Sequence, residues 1–154
     1  MLLFLSEYEN KVDKTGRVSV PAGFRAQLEE TDFKGFVGFP HLELPCIEAW
    51  TMSRMRRLAA GMERMPPLSA QYNANSTLMT KSKELAFDPE GRVKLTPKFL
   101  AHTGIKNKAM IAGRGPTFQI WEPERFHAHE AQAEAVIMAN PDSFLLGPEG
   151  GADV

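Results

Sequence analysis

Short stretches of alternating apolar and polar residues recur along the chain and predict β-strands. Apolar side chains alternate with polar ones at residues 17–20, and the same alternation returns at residues 92–95. Successive side chains of a strand point to opposite faces, so each stretch has an apolar face for a core and a polar, partly basic face for solvent or a partner. An Asp-x-x-Gly-Arg sequence leads into each stretch. The pattern therefore predicts two similar β-hairpins.

The two hairpins belong to a tandem duplication of one unit. Six pairs of identical or similar residues keep a constant separation of 75 positions: Asp13 and Asp88, Gly16 and Gly91, Arg17 and Arg92, Val18 and Val93, Val20 and Leu95, Phe24 and Phe99. Further on, residues 47–51 match residues 118–122 at a separation of 71. The loop between the two blocks is thus four residues shorter in the second copy. A conserved register of this kind indicates internal repetition.

The Asp-x-x-Gly-Arg sequence is typical of a tight turn. The carboxylates of Asp13 and Asp88 are placed to accept backbone N–H groups within their turns. Gly16 and Gly91 stand where the backbone needs a left-handed conformation. We therefore interpret these four residues as structural turn residues, and the arginine that follows each turn is expected to reach solvent or a partner.

Helices are expected after each hairpin and again at the end of each copy. In the second copy Thr96 is a cap, Pro97 lies in the first turn and Gly104 ends the helix, and the first copy has a similar start at Pro21. Later helices are expected from a methionine-rich row that begins after Thr51, over about residues 68–78, and from residue 123 to about 138. The methionine row favours packing in a core or subunit interface over a ligand groove.

The duplication predicts two repeats that fold together. The Pro66-Pro67 pair separates a first repeat, residues 1–66, from a second, residues 67–139. Residues 140–154 are rich in Gly and Pro, carry only acidic charges and are expected to form a flexible tail. Because about 75 residues are thin for an independent core, we expect the hairpins to share one barrel-like core.

Composition and motifs favour an ordinary globular protein over a secreted, membrane-spanning or metal-binding one. With 43% hydrophobic and 24% charged residues, the chain resembles an ordinary globular domain. Its start is apolar for only a few residues and does not match a signal peptide, and no stretch is long enough for a membrane span. The single cysteine, Cys46, excludes a disulfide framework or a cysteine-rich zinc site. No motif for a metal, a cofactor or a small-molecule ligand is present, and no enzyme signature was found.

Charge is distributed unevenly between the repeats. The net charge is −1, which excludes binding to nucleic acid by bulk charge alone, although a local basic face is sufficient for specific binding. Residues 11–28 hold four basic side chains against one acidic one, whereas residues 86–103 hold three against two. The candidate DNA-binding residues are basic side chains on or near the hairpins: Lys11, Lys14, Arg17, Arg25, Arg92 and Lys94. A structural alternative is that each arginine pairs with the aspartate of its own turn.

Three segments together resemble the MraZ family of bacterial regulators. They are residues 8–25, the second Asp-x-x-Gly-Arg sequence at 88–92, and residues 118–126. The likeness extends over about residues 2–138. One Asp-x-x-Gly-Arg sequence is a weak motif, but its duplication with both flanking blocks is specific.

The resemblance implies an α+β, mostly β fold: the swapped-hairpin, double-psi-like barrel of the AbrB and SpoVT superfamily, with flanking helices. The two halves of one chain would correspond to the two chains of an AbrB dimer. It also implies a ring-shaped homo-oligomer in the cytoplasm and at the nucleoid. This oligomer would bind repeated boxes in double-stranded promoter DNA and repress its own division and cell-wall gene cluster.

The resemblance assigns DNA contact to the turn arginines and a neighbouring basic residue, here Lys14 and Arg17 with Arg92. The second turn departs from the first, because Pro89 and Glu90 stand where the first has Lys14 and Thr15. Arg92 is therefore expected to contribute less than Arg17.

Three other functions stay open at the level of sequence. An antitoxin-like module of the same superfamily would use its tail or helices to neutralise a toxin. We expect the short acidic tail to provide no hydrophobic anchors for such a partner. A structural oligomer would bury both turn arginines against their aspartates. An enzyme would need Asp13 or Asp88 in a cleft beside a histidine.

Overall fold

The computed structural model describes residues 2–149 as an α+β fold with eight strands and five helices. The strands are β1 (Glu7–Lys11), β2 (Arg17–Ser19), β3 (Gly35–Pro40), β4 (Cys46–Trp50), β5 (Lys83–Ala86), β6 (Arg92–Lys94), β7 (Lys108–Gly113) and β8 (Phe118–Trp121). The helices are α1 (Ala22–Glu29), α2 (Met52–Met62), α3 (Ala70–Lys81), α4 (Pro97–Thr103) and α5 (Pro123–Ala139). The α+β class expected from the sequence is confirmed.

Six strands, three from each copy, form one antiparallel sheet. The strand order is β1-β7-β8-β4-β3-β5. The first strand of each copy pairs with the third strand of the other copy, as β1 does with β7 and β5 with β3. At the centre β4 pairs with β8, where Glu48 faces Gln119. The strand order is therefore the same from either edge when the two copies are exchanged.

The remaining strands, β2 and β6, form a separate two-stranded ribbon that also joins the copies. Its central pair is Val18 with Val93, and both side chains are buried. Within residues 2–149 the strands do not close into the barrel expected from the sequence. The reason is that β2 and β6 have only three residues each, and β2 joins the β1 side through the single bridge Val12–Val18.

One hydrophobic cluster takes residues from both copies. Phe118 lies at its centre, with ring centroids 5.0 Å from Phe4, 5.1 Å from Phe24 and 4.9 Å from Phe36. All four rings are at most 3% exposed. Burial of each such side chain contributes on the order of 1.5–3 kcal/mol, so contacts between copies form a substantial part of the core.

Local signals explain where α4 begins and ends. The Thr96 hydroxyl accepts the Phe99 N–H at 3.1 Å, and Pro97 occupies the first turn. Gly104 ends the helix with a φ of 76°, in the left-handed region. In the first copy Pro21 precedes α1 without a side-chain cap. The helix predicted after the second hairpin therefore has the predicted start and stop residues.

The methionine row of α2 packs within the chain. Met55 is buried in a small cluster with Val37 and Phe39, and Trp50 packs against it. Arg54 lies over the Trp50 ring at 4.7 Å from the centroid. The packing interpretation of this row thus agrees with the structure, and Arg54 is half-buried.

The bounds of α3 and the exposed side chains after α5 differ from what the sequence predicts. Helix α3 covers 70–81 instead of about 68–78, and α5 ends at Ala139. Beyond it Phe144, Leu145 and Leu146 are 71%, 96% and 90% exposed. The tail therefore carries three exposed hydrophobic side chains, contrary to the expectation that it provides no hydrophobic anchors. The part of the expected flexible tail at 150–154 lies outside the described residues.

Candidate nucleic-acid interface

The first hairpin turn is held by the side chain of Asp13. Its Oδ1 accepts the backbone N–H groups of Thr15 and Arg17, both at 2.9 Å, and the Thr15 hydroxyl at 2.7 Å. The Gly16 N–H donates to the Asp13 carbonyl at 3.0 Å, and Gly16 has a φ of +90°. These bonds fix the backbone on which Arg17 is presented.

The second turn repeats this geometry. Asp88 Oδ1 accepts the backbone N–H groups of Glu90 and Arg92 at 2.9 Å each. Gly91 has a φ of +78°, and its N–H donates to the Asp88 carbonyl at 3.0 Å. The two turns thus share one hydrogen-bonding plan even though their tip residues differ.

Both turn aspartates are held in the charged form. The backbone hydrogen bond from Arg17, followed by the Thr15 hydroxyl bond, lowers the pKa of Asp13 from 3.8 to about 2. The backbone hydrogen bond from Arg92 likewise lowers the pKa of Asp88. Hydrogen bonds to a carboxylate stabilise its ionised form. At neutral pH the turns therefore present two fixed negative charges beside two arginines.

The two turns lie side by side because each is bonded to the other copy. The Leu95 N–H donates to the Gly16 carbonyl at 2.8 Å, and the Val20 N–H donates to the Gly91 carbonyl at 3.2 Å. These bonds continue the pairing of the ribbon between the copies. They bring Asp13, Arg17, Asp88 and Arg92 into one group, which the sequence alone did not reveal.

The two turn arginines are not equivalent in this group. Arg92 contacts three carboxylates, those of Asp88 at 3.0 Å, Glu90 at 2.6 Å and Asp13 at 3.7 Å. Arg17 contacts one, Asp88, at 3.9 Å, and its Nη1 donates to the Thr15 hydroxyl at 2.7 Å. The positive charge of Arg92 is therefore largely compensated, whereas that of Arg17 is compensated weakly.

The ion pairs of the two arginines differ with respect to the structural alternative, in which each arginine pairs with the aspartate of its own turn. Arg92 pairs with the aspartate of its own turn, as that alternative requires. Arg17 instead reaches across to Asp88, and 39% of its side chain is exposed. Only Arg92 therefore forms an ion pair with the aspartate of its own turn.

Other basic side chains lie on the hairpins and the neighbouring strands. Lys11 and Lys14 are exposed, and Lys94 is exposed and lies opposite Arg17 in the ribbon register. Lys108, which sequence reasoning did not single out, lies opposite Lys11 in the β1–β7 pair. Its relation to Lys11 depends on pairing between the copies, so no local sequence signal could reveal it.

Arg25 differs from the lysines because it is hydrogen-bonded and packed within the chain. Its Nε donates to the Val20 carbonyl at 3.0 Å, and its guanidinium covers Gly91 so closely that a Cβ there would lie 2.5 Å from Nη1. The corresponding position of the second copy is Leu100, which covers Gly16. Arg25 is thus a packing residue of the second turn as well as a basic one.

The remaining chemical candidates show ordinary structural contacts. Asp13 and Asp88 bond to backbone N–H groups, a hydroxyl and arginines, which fits turn formation better than catalysis. Burial raises the pKa of the Cys46 thiol to about 12. His129 stacks on Trp121 at 4.8 Å, and the His102 Nε2 donates to the Leu44 carbonyl at 3.0 Å.

Residues 2–149 contain neither a metal-binding cluster nor a membrane-spanning helix. No group of three or more His, Cys, Asp or Glu side chains in that range is arranged to hold a metal ion. Within the same range, none of the helices combines the length and apolar character needed to cross a bilayer.

The chain is similar to known proteins over most of its length. Residues 3–72 and 78–146 match the sequence family described as "MraZ protein, putative antitoxin-like". Transcriptional regulator MraZ of Pelagibacter ubique (strain HTCC1062) is 41% identical over 132 residues, 85% of this chain and 85% of that protein. Transcriptional regulator MraZ of Rickettsia akari (strain Hartford) is 38% identical over 147 residues, 95% of this chain and 97% of that protein. The protein of that name in Rickettsia canadensis (strain McKiel) is 38% identical over 137 residues, 88% and 92% of the two chains.

Proposed function

The chain belongs to the MraZ family, and we propose that it is a transcriptional regulator that binds double-stranded DNA through its first hairpin turn. The observation that carries this proposal is the contrast between the two turn arginines. Arg17 has one carboxylate contact at 3.9 Å, whereas Arg92 has three contacts between 2.6 and 3.7 Å. Arg17 is therefore the turn arginine that can engage an external anion at the lower electrostatic cost.

The chemistry of the first turn suits DNA. The planar guanidinium of Arg17 can form two parallel hydrogen bonds to a guanine edge or to a phosphate. Lys14, at the exposed tip of the turn, supplies a point charge for phosphate. Lys11 and Lys94 extend the positive surface on either side, and Arg92 and Arg25 contribute less because they already have partners.

The finer architecture is part of the same proposal. The exchange of strands between copies supports a swapped-hairpin pseudo-dimer in which residues 1–66 and 67–139 form two repeats with one shared core. A ring-shaped homo-oligomer would place several such turns along DNA. Tethered sites raise apparent affinity through effective concentration, which suits a chain whose net charge is only −1.

The target follows from the family resemblance. The chain would bind repeated boxes upstream of its own division and cell-wall gene cluster, act as a repressor and work in the cytoplasm at the nucleoid. Changing the spacing between boxes should then alter affinity, because a ring fixes the distances between its turns.

The test is binding of the full chain to DNA from upstream of its own gene, measured at several salt concentrations. Arg17→Ala should weaken binding on the order of 5- to 150-fold, as expected for loss of a bidentate contact worth about 1–3 kcal/mol. Arg92→Ala is the matched variant from the other turn, and it should have the smaller effect. Circular dichroism checks that each variant is folded.

Two results would contradict the proposal. The first is equal binding to the upstream DNA and to a shuffled sequence of the same length. The second is a folded Arg17→Ala protein that binds as the unmodified chain does, with the same salt dependence. Either result would shift the function towards a protein partner and leave the turn arginines with structural roles.

A further inference from the structure

A basic cavity lies where three segments of the chain meet. Its volume is about 760 Å³, within the range of about 300–1,000 Å³ typical of small-molecule sites. The segments are the loop after β3, the junction between α3 and β5, and the beginning of α4. The lining residues that carry the argument are Pro40, His41, Leu42, Lys81, Lys83 and Lys98.

The charge of this cavity has one sign. Lys81, Lys83 and Lys98 line it, and no carboxylate does. None of the ion pairs formed by residues 2–149 involves these three lysines. Three uncompensated ammonium groups around one concavity repel each other, and a bound polyanion would relieve that repulsion.

Two neutral groups of the wall can also donate hydrogen bonds. The His41 Nδ1 accepts the N–H groups of Glu43 and Leu44 at 3.0 Å each, so the neutral ring carries its proton on Nε2. The Thr96 hydroxyl accepts the Phe99 N–H and keeps its own O–H for a further acceptor. Both residues line the cavity.

The first copy provides an internal comparison. The positions 75 residues before the three lysines hold Ser6, Tyr8 and Gly23, none of them charged. Because both copies form the corresponding strand and helix, neither element requires a lysine at positions 83 and 98. Lys81 ends α3, which has no counterpart before β1.

The surroundings of the equivalent phenylalanines differ as well. In the first copy Phe24 is covered by Phe4 and Tyr8, at ring separations of 5.0 and 5.6 Å. Gln27 also exchanges two hydrogen bonds with the backbone of Leu3, at 2.7 and 2.8 Å. In the second copy Phe99, the counterpart of Phe24, lines the open cavity.

We propose that this cavity binds the phosphate groups of a small phosphorylated molecule. The lysines supply charge, the donors from His41 and Thr96 orient phosphate oxygens, and the apolar surfaces of Pro40 and Leu42 contact the organic part. The site is separate from the proposed DNA contact at Arg17 and does not depend on it.

The cavity adjoins the ribbon. A smaller cavity of about 340 Å³ shares Lys83 and Thr96 with it and adds Lys94 of β6. The residue before Thr96 is Leu95, whose N–H bonds to Gly16 of the first turn. The lysines could therefore instead contact DNA backbone phosphate, and the experiment is designed to separate these two sources of phosphate.

The experiment measures binding of inorganic pyrophosphate and of tripolyphosphate to the full chain without DNA. Isothermal titration calorimetry is performed at constant ionic strength, with the thermal midpoint as a second readout, because a ligand that binds the folded state raises it. The cavity variant is Lys81→Gln with Lys98→Gln. The matched control, Lys34→Gln with Lys106→Gln, removes the same charge outside the cavity.

The unmodified chain should bind both probes, and the cavity variant should bind them at least about tenfold more weakly. The control should retain the affinity of the unmodified chain. Three results would overturn the proposal: no binding of either probe, an equal loss in the control, or a cavity variant that still binds both probes. A cavity variant that keeps its affinity for the probes but loses affinity for DNA in the titration described for Arg17→Ala would assign the lysines to DNA backbone phosphate. Loss of DNA binding by Arg17→Ala tests the other proposal and leaves this measurement unaffected.

Discussion

Gly16 and Gly91 occupy equivalent turns but have different neighbours, so the same substitution should have unequal effects. A Cβ at Gly16 would lie 2.7 Å from the backbone oxygen of Leu95. A Cβ at Gly91 would lie 2.5 Å from Nη1 of Arg25, which is the far end of a flexible side chain. We expect Gly16→Ala to destabilise the chain more than Gly91→Ala, because a backbone carbonyl cannot move aside independently.

The magnitudes follow from two contributions. Each alanine would adopt a left-handed conformation, at a cost of about 1–2 kcal/mol. At Gly16 the backbone must also shift at the point where the Leu95 N–H bonds to the Gly16 carbonyl at 2.8 Å, which adds about 1 kcal/mol. A difference of about 1 kcal/mol between the variants corresponds to about 2–4 °C in the thermal midpoint for a chain of this size.

Thermal and urea unfolding of the two variants measure this difference. The control is Gly91→Ala combined with Arg25→Leu, since leucine is the residue that covers the equivalent turn at position 100. In that background the cost of Gly91→Ala should be about the same, because the flexible Arg25 side chain can already move aside. Equal losses for the two single variants, or a cost at Gly91 that Arg25→Leu removes in large part, would refute the reasoning.

Three further predictions follow from the turns, the core and the cysteine. The pKa of Asp13 falls from 3.8 to about 2 on folding, so its contribution to stability is complete above about pH 4 and is lost towards pH 2. Asp13→Asn should therefore flatten the pH dependence of the free energy of urea unfolding between pH 4 and pH 2, and an unchanged pH dependence in this window would contradict the prediction. Residues 1–66 expressed alone should lack cooperative unfolding, because Phe118 and other partners in the shared cluster are missing. A fragment that is folded by circular dichroism and monomeric by size-exclusion chromatography would contradict this prediction. Cys46 is buried and its thiol has a pKa of about 12, so a thiol reagent at pH 8 should label the native chain far more slowly than the urea-unfolded chain; similar rates would show that the site opens readily.

The sequence predicted those features that depend on neighbouring residues. Thr96, Pro97 and Gly104 act within one short helix, so their types alone indicate its bounds. The hairpin turns are equally local, since Asp13 and Asp88 bond to residues two and four positions ahead.

Features that depend on pairing between distant residues were not predictable in this way. The contact of Arg92 with Asp13, the position of Lys108 opposite Lys11 and the cover of Gly91 by Arg25 all require the two copies to be placed together. The open sheet also depends on how few residues of β2 and β6 pair, which the alternation of residue types does not specify.

The pairing of Val18 with Val93 joins two related hairpins that belong to one polypeptide. In a dimer of identical chains, every substitution appears on both sides of the twofold axis. Here Arg25 and Leu100 occupy corresponding places with different chemistry, so each half of the surface can change alone. A DNA site that such a surface recognises need not be a palindrome, because the protein has no strict symmetry for the two half-sites to mirror.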